Sequence, residues 1–256
     1  MPYSGFSLEG KTAVVVGGTS GIGNSISLGF AESGANVVST GRRPEEVSKT
    51  AAEVRAKGAK SLEVPCDATR RESIQRLIDQ TVAEFGRIDI LVNSAGTTKR
   101  MPSVDFPDEE WHRILNVNMN ATWYACQMVG RVMKEQGAGK IINIASIASF
   151  VGCNEVTPYC TSKGAVAQMT RTLGCEWAKY GINVNGIAPG VFETPMNSAL
   201  INQPERKQKI LSRTPMSRFG NLKELQGAAI FLASEASNYV AGEILVVDGG
   251  FLAQGI

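Results

Sequence analysis

A short β-branched run that leads directly into a glycine-rich stretch limits this chain to few folds. Lys11 to Val16 (KTAVVV) predicts a buried strand, and residues 17–23 read GGTSGIG. Ile26 to Ala31 then shows helical periodicity and ends before Gly34. Between a strand and a helix, glycines let the backbone approach a pyrophosphate, and the helix N-terminus offers free N–H groups. A bare turn is the alternative, but the flanking elements favour phosphate binding by Gly17, Thr19, Ser20, Gly21, Ile22 and Gly23.

The rest of the chain alternates short apolar runs with helix-like segments. Further strands are predicted at residues 36–40, 61–64, 87–92, 140–145, 182–188 and 243–247. This alternation predicts one doubly wound α/β domain over residues 1–256, with about seven parallel strands and helices on both faces. Residues 191–218 are polar and weakly periodic, and their length predicts a substrate lid.

Polar and small residues follow several of these strands and should share one edge of the sheet. Ligands of parallel sheets bind beyond the carboxyl ends of the strands. Asp67 would accept a hydrogen bond from an adenine amino group, and the small residues 93–96 (NSAG) either leave room for a flat ligand or serve a tight turn. The residues placed at this edge are Asp67, Asn93, Ala95, Gly96, Ser146, Pro189, Gly190 and Val191.

The second predicted strand ends at Gly41-Arg42-Arg43. In dinucleotide-binding folds an acid at this point holds the ribose hydroxyls, whereas an Arg accommodates a 2′-phosphate. Arg42 and Arg43 without an acid therefore favour NADP(H), with NAD(H) still possible. A solvated turn before the predicted helix at 44–57 is the alternative.

Tyr159 and Lys163 lie four residues apart at the start of a long apolar segment, so a helix would place them on one face. A phenol titrates near pH 10, and a neighbouring ammonium lowers that pKa. The pair therefore suits proton transfer, although simple packing of the ring against the Lys stem is the alternative. Asn116 and Asn118 lie within a predicted helix at 108–136, where Asn is a poor helix former. Each therefore faces solvent or has a specific polar role.

Composition argues against several other classes of protein. A net charge of +2 without a polybasic run gives no sign of a nucleic-acid partner. Residues 1–10 do not form a signal sequence and no stretch approaches the length of a membrane span, so we expect no membrane partner. The five cysteines show neither metal nor disulfide spacing and are typical of reduced thiols in the cytoplasm. His112 is the only histidine, which excludes a His-based zinc site, and we expect no metal.

Taken in order, these motifs resemble the short-chain dehydrogenase/reductase family over nearly the whole chain. The matching residues are Gly17-x-x-x-Gly21-Ile22-Gly23, Asn93-Ser94-Ala95-Gly96, Asn118, Ser146, Tyr159-x-x-x-Lys163 and Pro189-Gly190. The chain departs from the family pattern at Val16, Ser94 and Cys160-Thr161, none of which removes a catalytic group. The resemblance implies a Rossmann fold, a homotetramer and a small-molecule substrate.

The resemblance also implies residue roles. Tyr159 would be the general acid and base, and Ser146 would hydrogen-bond the same substrate oxygen. Lys163 would bind the nicotinamide ribose and lower the pKa of Tyr159. Asn118 would hold a water of a proton relay, and Thr194 would contact the carboxamide. Tyr159 and Lys163 thus count among both the catalytic and the cofactor-binding residues.

The activity implied is NAD(P)(H)-dependent hydride transfer between the nicotinamide and a secondary alcohol or ketone. A non-catalytic dinucleotide-binding sensor is the alternative of another class, but all four predicted catalytic residues are present. Residues 192–197 and 213–220 are similar to sugar-acid and polyol dehydrogenases of the gluconate 5-dehydrogenase type. A 3-oxoacyl-thioester (acyl-carrier-protein) reductase is the other substrate class. Polar partners for a polyol would come from Asn154, Glu155, Glu193 and Asn197.

Overall fold

The computed structural model of the chain describes residues 4–201 and 203–255. Its centre is one sheet of six parallel strands in the order β2-β1-β3-β4-β5-β6. The strands are β1 (Thr12–Val16), β2 (Asn36–Thr40), β3 (Ile90–Asn93), β4 (Gly139–Ile144), β5 (Ile182–Pro189) and β6 (Ile244–Val247). The order of the strands reverses between β1 and β3, which is where open α/β sheets bind their ligands.

Helices cover both faces of the sheet. They are α1 (Gly21–Glu32), α2 (Pro44–Arg55), α3 (Arg71–Phe85), α4 (Asp108–Leu115), α5 (Ala121–Gln136), α6 (Thr157–Trp177), α7 (Ser198–Ile201), α8 (Pro204–Ser212) and α9 (Gln226–Ala233). Alternate β1 residues face opposite layers, since Val14 packs with α3, α5 and α6, while Val15 packs with α1, α2 and α9. The predicted doubly wound α/β fold is confirmed.

The strand count is one fewer than predicted, because residues 61–64 do not pair as a strand. This segment lies along the β2 edge, where the Val37 N–H donates to the Lys60 carbonyl at 3.0 Å and the Cys66 N–H donates to the Gly41 carbonyl at 2.9 Å. Between these points the Thr40 hydroxyl donates to the Val64 carbonyl. A side chain thus takes an acceptor that a regular ladder would give to a backbone N–H.

Two other predicted segments are divided in the structure. The long helix expected at 108–136 is α4 and α5 joined by a π-helical turn, Asn116–Asn120. The segment 191–218 contains α7 and α8, and its role as a lid stays a prediction. Within residues 4–201 and 203–255, no helix is long and apolar enough to cross a membrane.

Candidate active site

The turn between β1 and α1 is so tightly packed that it requires glycine. Gly17 has a φ of +77°, and a Cβ there would lie 2.5 Å from the Ala95 nitrogen at the end of β3. A Cβ on Gly23 would lie 2.2 Å from the Gly17 carbonyl oxygen. The backbone of the turn therefore lies against both the next strand and its own helix. This packing places the N-terminus of α1, which has no side-chain cap from Ser20, at the edge of a cleft.

That cleft has a volume of about 730 Å³, within the range of small-molecule sites. It runs from the glycine turn to Arg42 and Arg43 on one side and to Thr194 on the other. The predicted cofactor residues that line it are Gly17, Thr19, Ser20, Gly21, Ile22, Arg42, Arg43, Asp67, Ala95, Gly96 and Thr194. Its size, its helix N-terminus and its basic end fit a phosphorylated dinucleotide.

Other predicted cofactor residues lie outside the lining of this cleft: Gly23, Asn93, Tyr159, Lys163, Pro189, Gly190 and Val191. Asn93 is buried and donates to Asn143 Oδ1 at 2.9 Å. Gly190 lies against the chain after β6, where an added Cβ would be 2.7 Å from the Asp248 Cα. These residues shape the rim of the sheet, and direct contact with a cofactor stays a prediction for each.

The basic end of the cleft holds more cations than sequence reasoning found. Arg42 and Asp67 also line an adjoining cavity of about 470 Å³, together with Arg70 and Arg76. Asp67 Oδ1 accepts from the backbone N–H and the hydroxyl of Thr69, at 3.0 and 2.8 Å. The Asp67 carboxylate therefore stabilises the turn from Asp67 to Thr69, and its predicted contact with adenine stays a prediction. Arg70 and Arg76 carried no signal in the sequence, because the turn that brings them to Arg42 is not a motif.

Helix α6 and the end of β4 bring the predicted catalytic groups together. The Ser146 hydroxyl lies close enough to the Tyr159 phenol to lower the pKa of Tyr159, and its Oγ accepts from the Ala148 N–H at 3.1 Å. Lys163 Nζ donates to the Ile144 carbonyl at 2.6 Å and lies 5.8 Å from the centre of the Tyr159 ring. The ammonium, the phenol and the Ser146 hydroxyl thus converge at one strand end.

Burial perturbs both titratable groups of this cluster. It raises the pKa of Tyr159, and the hydrogen bond from Ser146 opposes that rise. Burial lowers the pKa of Lys163 to about 8. Ser146, rather than the Lys163 ammonium held by the Ile144 carbonyl, is the neighbour that lowers the Tyr159 pKa in this structure.

Asn118 lies fully buried in the π-helical turn and holds two other segments in place. Its Nδ2 donates to the Thr97 carbonyl at 3.0 Å and to Ser162 Oγ at 2.9 Å, and its Oδ1 accepts from the Thr97 N–H at 2.8 Å. A Cβ on Gly96 would lie 3.7 Å from Asn118 Oδ1 and 4.0 Å from Lys163 Nζ, so both side chains reach this loop. Asn118 therefore has a polar structural role, which is to hold the Thr97 loop and α6 together. Its part in a water relay stays a prediction.

The side chains expected to bind a polyol are mostly engaged elsewhere. Glu155 forms an ion pair with Arg100. Asn197 accepts from the Thr194 N–H at 2.9 Å and donates to the Phe192 carbonyl at 2.6 Å, so it folds its own loop. Glu193 lines a different cavity beside Lys207, and Asn154 is exposed. Arg113 was missed, although it lines the cleft and donates to Thr97 Oγ1 at 3.0 Å.

Comparison with known proteins finds sequence similarity over nearly the whole chain. The family model described as enoyl-(acyl carrier protein) reductase matches residues 16–252. The 2-dehydro-3-deoxy-D-gluconate 5-dehydrogenase of Escherichia coli (strain K12) is 42% identical over 255 residues, covering 99% of this chain and 100% of that protein. The 5-keto-D-gluconate 5-reductase of the same strain is 39% identical over 247 residues, covering 96% and 97%. A crystal structure of a gluconate 5-dehydrogenase from Burkholderia cenocepacia J2315, in complex with NADP and tartrate, has a TM-score of 0.95 at 39% identity and covers 98% and 99%.

Proposed function

The chain belongs to the short-chain dehydrogenase/reductase family, and we propose that it is an NADP(H)-dependent oxidoreductase of sugar acids. The observation that carries this proposal is the convergence of Ser146, Tyr159 and Lys163 at the end of β4, beside a cleft that fits a dinucleotide. A non-catalytic sensor would not need this cluster. We therefore favour an active enzyme over that alternative.

Each residue of the cluster has a separate task in the proposed reaction. The bound nicotinamide supplies or takes the hydride. Ser146 holds the substrate oxygen, and the Tyr159 hydroxyl gives that oxygen a proton in reduction or removes one in oxidation. Lys163, whose Nζ lies 5.8 Å from the centre of the Tyr159 ring, would bind the hydroxyls of the nicotinamide ribose. Asn118 keeps the Thr97 loop and α6 in register, which fixes the distance between the cleft and Tyr159.

NADP(H) is the preferred cofactor in this proposal, with NAD(H) possible. Arg42 and Arg43 line the cleft at the end of β2, where no acid stands, and Arg70 and Arg76 line the adjoining cavity together with Asp67 and Glu72. Guanidinium groups bind phosphate through charge-assisted hydrogen bonds. The NADP bound to the related Burkholderia protein supports the same choice.

The substrate in this proposal is a keto sugar acid or its alcohol. The names of the related proteins support it, since they act on gluconate derivatives. The test is kcat/KM for 5-keto-D-gluconate, related keto sugar acids and an acetoacetyl thioester, measured side by side by nicotinamide absorbance. We expect the highest value with a sugar acid. A strong preference for the thioester would favour the 3-oxoacyl reductase and leave the Tyr159 mechanism intact.

We also propose that the enzyme is a cytoplasmic homotetramer and that residues 191–218 close over the substrate. The family supports the tetramer, and Trp123, Tyr124, Met169 and Trp177 on α5 and α6 are only partly buried. Met128 and Leu173 of the same two helices are buried in the core and do not belong to this surface. The five cysteines, all present as free thiols, support a reducing compartment.

A further inference from the structure

Two cysteines flank the predicted acid–base residue. Cys160 directly follows Tyr159 in the first turn of α6, and Cys153 lies in the loop before that helix. The Cys160 thiol points back at this loop, with its Sγ 3.9 Å from the Cys153 carbonyl oxygen. Both side chains are partly exposed, whereas Cys66 and Cys126 are buried. Small molecules in solution can therefore reach Cys153 and Cys160.

The Cys160 thiol lies against the backbone of Cys153, although the two residues are seven positions apart in the chain. Burial, followed by the influence of Cys160, raises the pKa of Cys153 to about 11. Both sulfurs also help to raise the pKa of Tyr159, which directly precedes Cys160 in the chain. Cys153 and Cys160 therefore form a local dithiol at the edge of the site.

We propose that Cys153 and Cys160 form a reversible disulfide that switches the enzyme off in the presence of a hydroperoxide. The Cys160 sulfur attacks the terminal oxygen of the hydroperoxide and the O–O bond breaks. That oxygen stays on the sulfur as a sulfenic acid, and the remaining oxygen leaves as an alcohol or, from hydrogen peroxide, as water. The Cys153 thiol then attacks the sulfenic sulfur, which forms the S–S bond, breaks the S–O bond and releases water. The thiol pair loses two electrons and two protons, and the hydroperoxide accepts them.

Bond formation should displace Tyr159. An S–S bond is about 2.05 Å long, whereas the Cys160 Sγ now lies 3.9 Å from the Cys153 carbonyl oxygen, so bond formation pulls the loop and α6 towards each other. The loop is anchored, because the Glu155 carbonyl accepts from the Met101 N–H at 2.8 Å and the Glu155 carboxylate pairs with Arg100. Movement then falls on the first turn of α6, which carries Tyr159. Misplacement of a catalytic group by about 1 Å can cost on the order of 100-fold in rate.

The test treats the reduced, NADP-loaded enzyme with hydrogen peroxide and follows peptide masses and activity together. We expect a peptide pair joined through Cys153 and Cys160 with the loss of two hydrogens, an activity loss of at least about 10-fold, and recovery with dithiothreitol. Cys153→Ser should stop at a sulfenic acid on Cys160, which dimedone traps. Cys160→Ser should form no disulfide. Cys175→Ser, which changes an exposed cysteine of the same helix, should behave as the wild type.

Three results would overturn the proposal. The first is that both thiols stay open to alkylation after inactivation, and the second is that the disulfide forms without loss of activity. The third is that the Cys153→Ser/Cys160→Ser double variant is inactivated like the wild type. The activity of each reduced variant is compared first, so a folding defect is separated from a lost switch. Peptide mapping needs no substrate, so its outcome is independent of the sugar-acid proposal.

Discussion

Asn118→Ala should cost more stability than an ordinary polar substitution, because one amide joins three parts of the site. The variant leaves the Thr97 N–H without its acceptor at 2.8 Å and the Thr97 carbonyl without its donor at 3.0 Å. Ser162 loses one donor, but its hydroxyl still donates to the Tyr159 carbonyl at 2.7 Å. A buried polar group left unpaired costs about 1–3 kcal/mol, so two such groups together cost about 2–6 kcal/mol.

The assay is urea unfolding at one fixed protein concentration, with the free energy of unfolding extrapolated to water. Asn120→Ala is the matched control, since Asn120 lies in the same π-helical turn and makes a single bond to Asn116 at 3.3 Å. We expect the control to lose less than about 1 kcal/mol. Equal losses in the two variants would refute the reasoning that Asn118 organises the site.

The remaining predictions concern the cofactor, Lys163 and assembly. Arg42→Ala should lower the NADP/NAD ratio of kcat/KM by about 10- to 100-fold, because a hydrogen bond to a charged group is lost, and Arg43→Ala tests the other predicted phosphate ligand in the same assay; an unchanged ratio in both variants would exclude the contact. The pKa of Lys163 is about 8 in the folded chain and about 10.4 when unfolded, so the unfolded state binds more protons between these values and stability rises with pH there. Urea unfolding at pH 7 and 10 should show a smaller rise for Lys163→Met, and equal rises would contradict the assigned pKa. Sedimentation at micromolar concentration should show a tetramer, and a monomer would refute it.

Elements with a local signature could be predicted from the sequence. The strand–glycine turn–helix unit at Thr12–Glu32 was recognisable because glycine spacing and apolar periodicity agree, and the structure explains the spacing by the contacts of Gly17 and Gly23. Residues 61–64 had a strand-like pattern too. In that segment the apolar pattern reflects burial at the edge of the sheet and not strand pairing. The Thr40 hydroxyl donates to the Val64 carbonyl, and residues 61–64 form no regular ladder of backbone hydrogen bonds with β2.

Interactions between distant segments could not be predicted in the same way. The sequence shows that Asn118 is unusual within a helix, but it does not show its hydrogen-bond partners. These are the Thr97 backbone and the Ser162 hydroxyl, and no spacing in the sequence relates them to Asn118. Cys160 was noticed as a departure from the motif, and only the loop geometry brings Cys153 to it. Asn197 suited a substrate hydroxyl in sequence, yet the structure uses its amide to close the Phe192–Thr194 turn.

The central claim is that Tyr159 transfers the proton at the end of β4, and Tyr159→Phe tests it most directly. The substitution keeps the ring and removes the hydroxyl whose pKa Ser146 lowers. Turnover of the best sugar-acid substrate and the Kd for NADP(H) are measured on the same folded variant. General acid–base catalysis contributes about 100- to 10,000-fold, so we predict a loss of at least that order in kcat with the cofactor Kd nearly unchanged. Near-normal kcat in a variant that still binds NADP(H) would contradict the account.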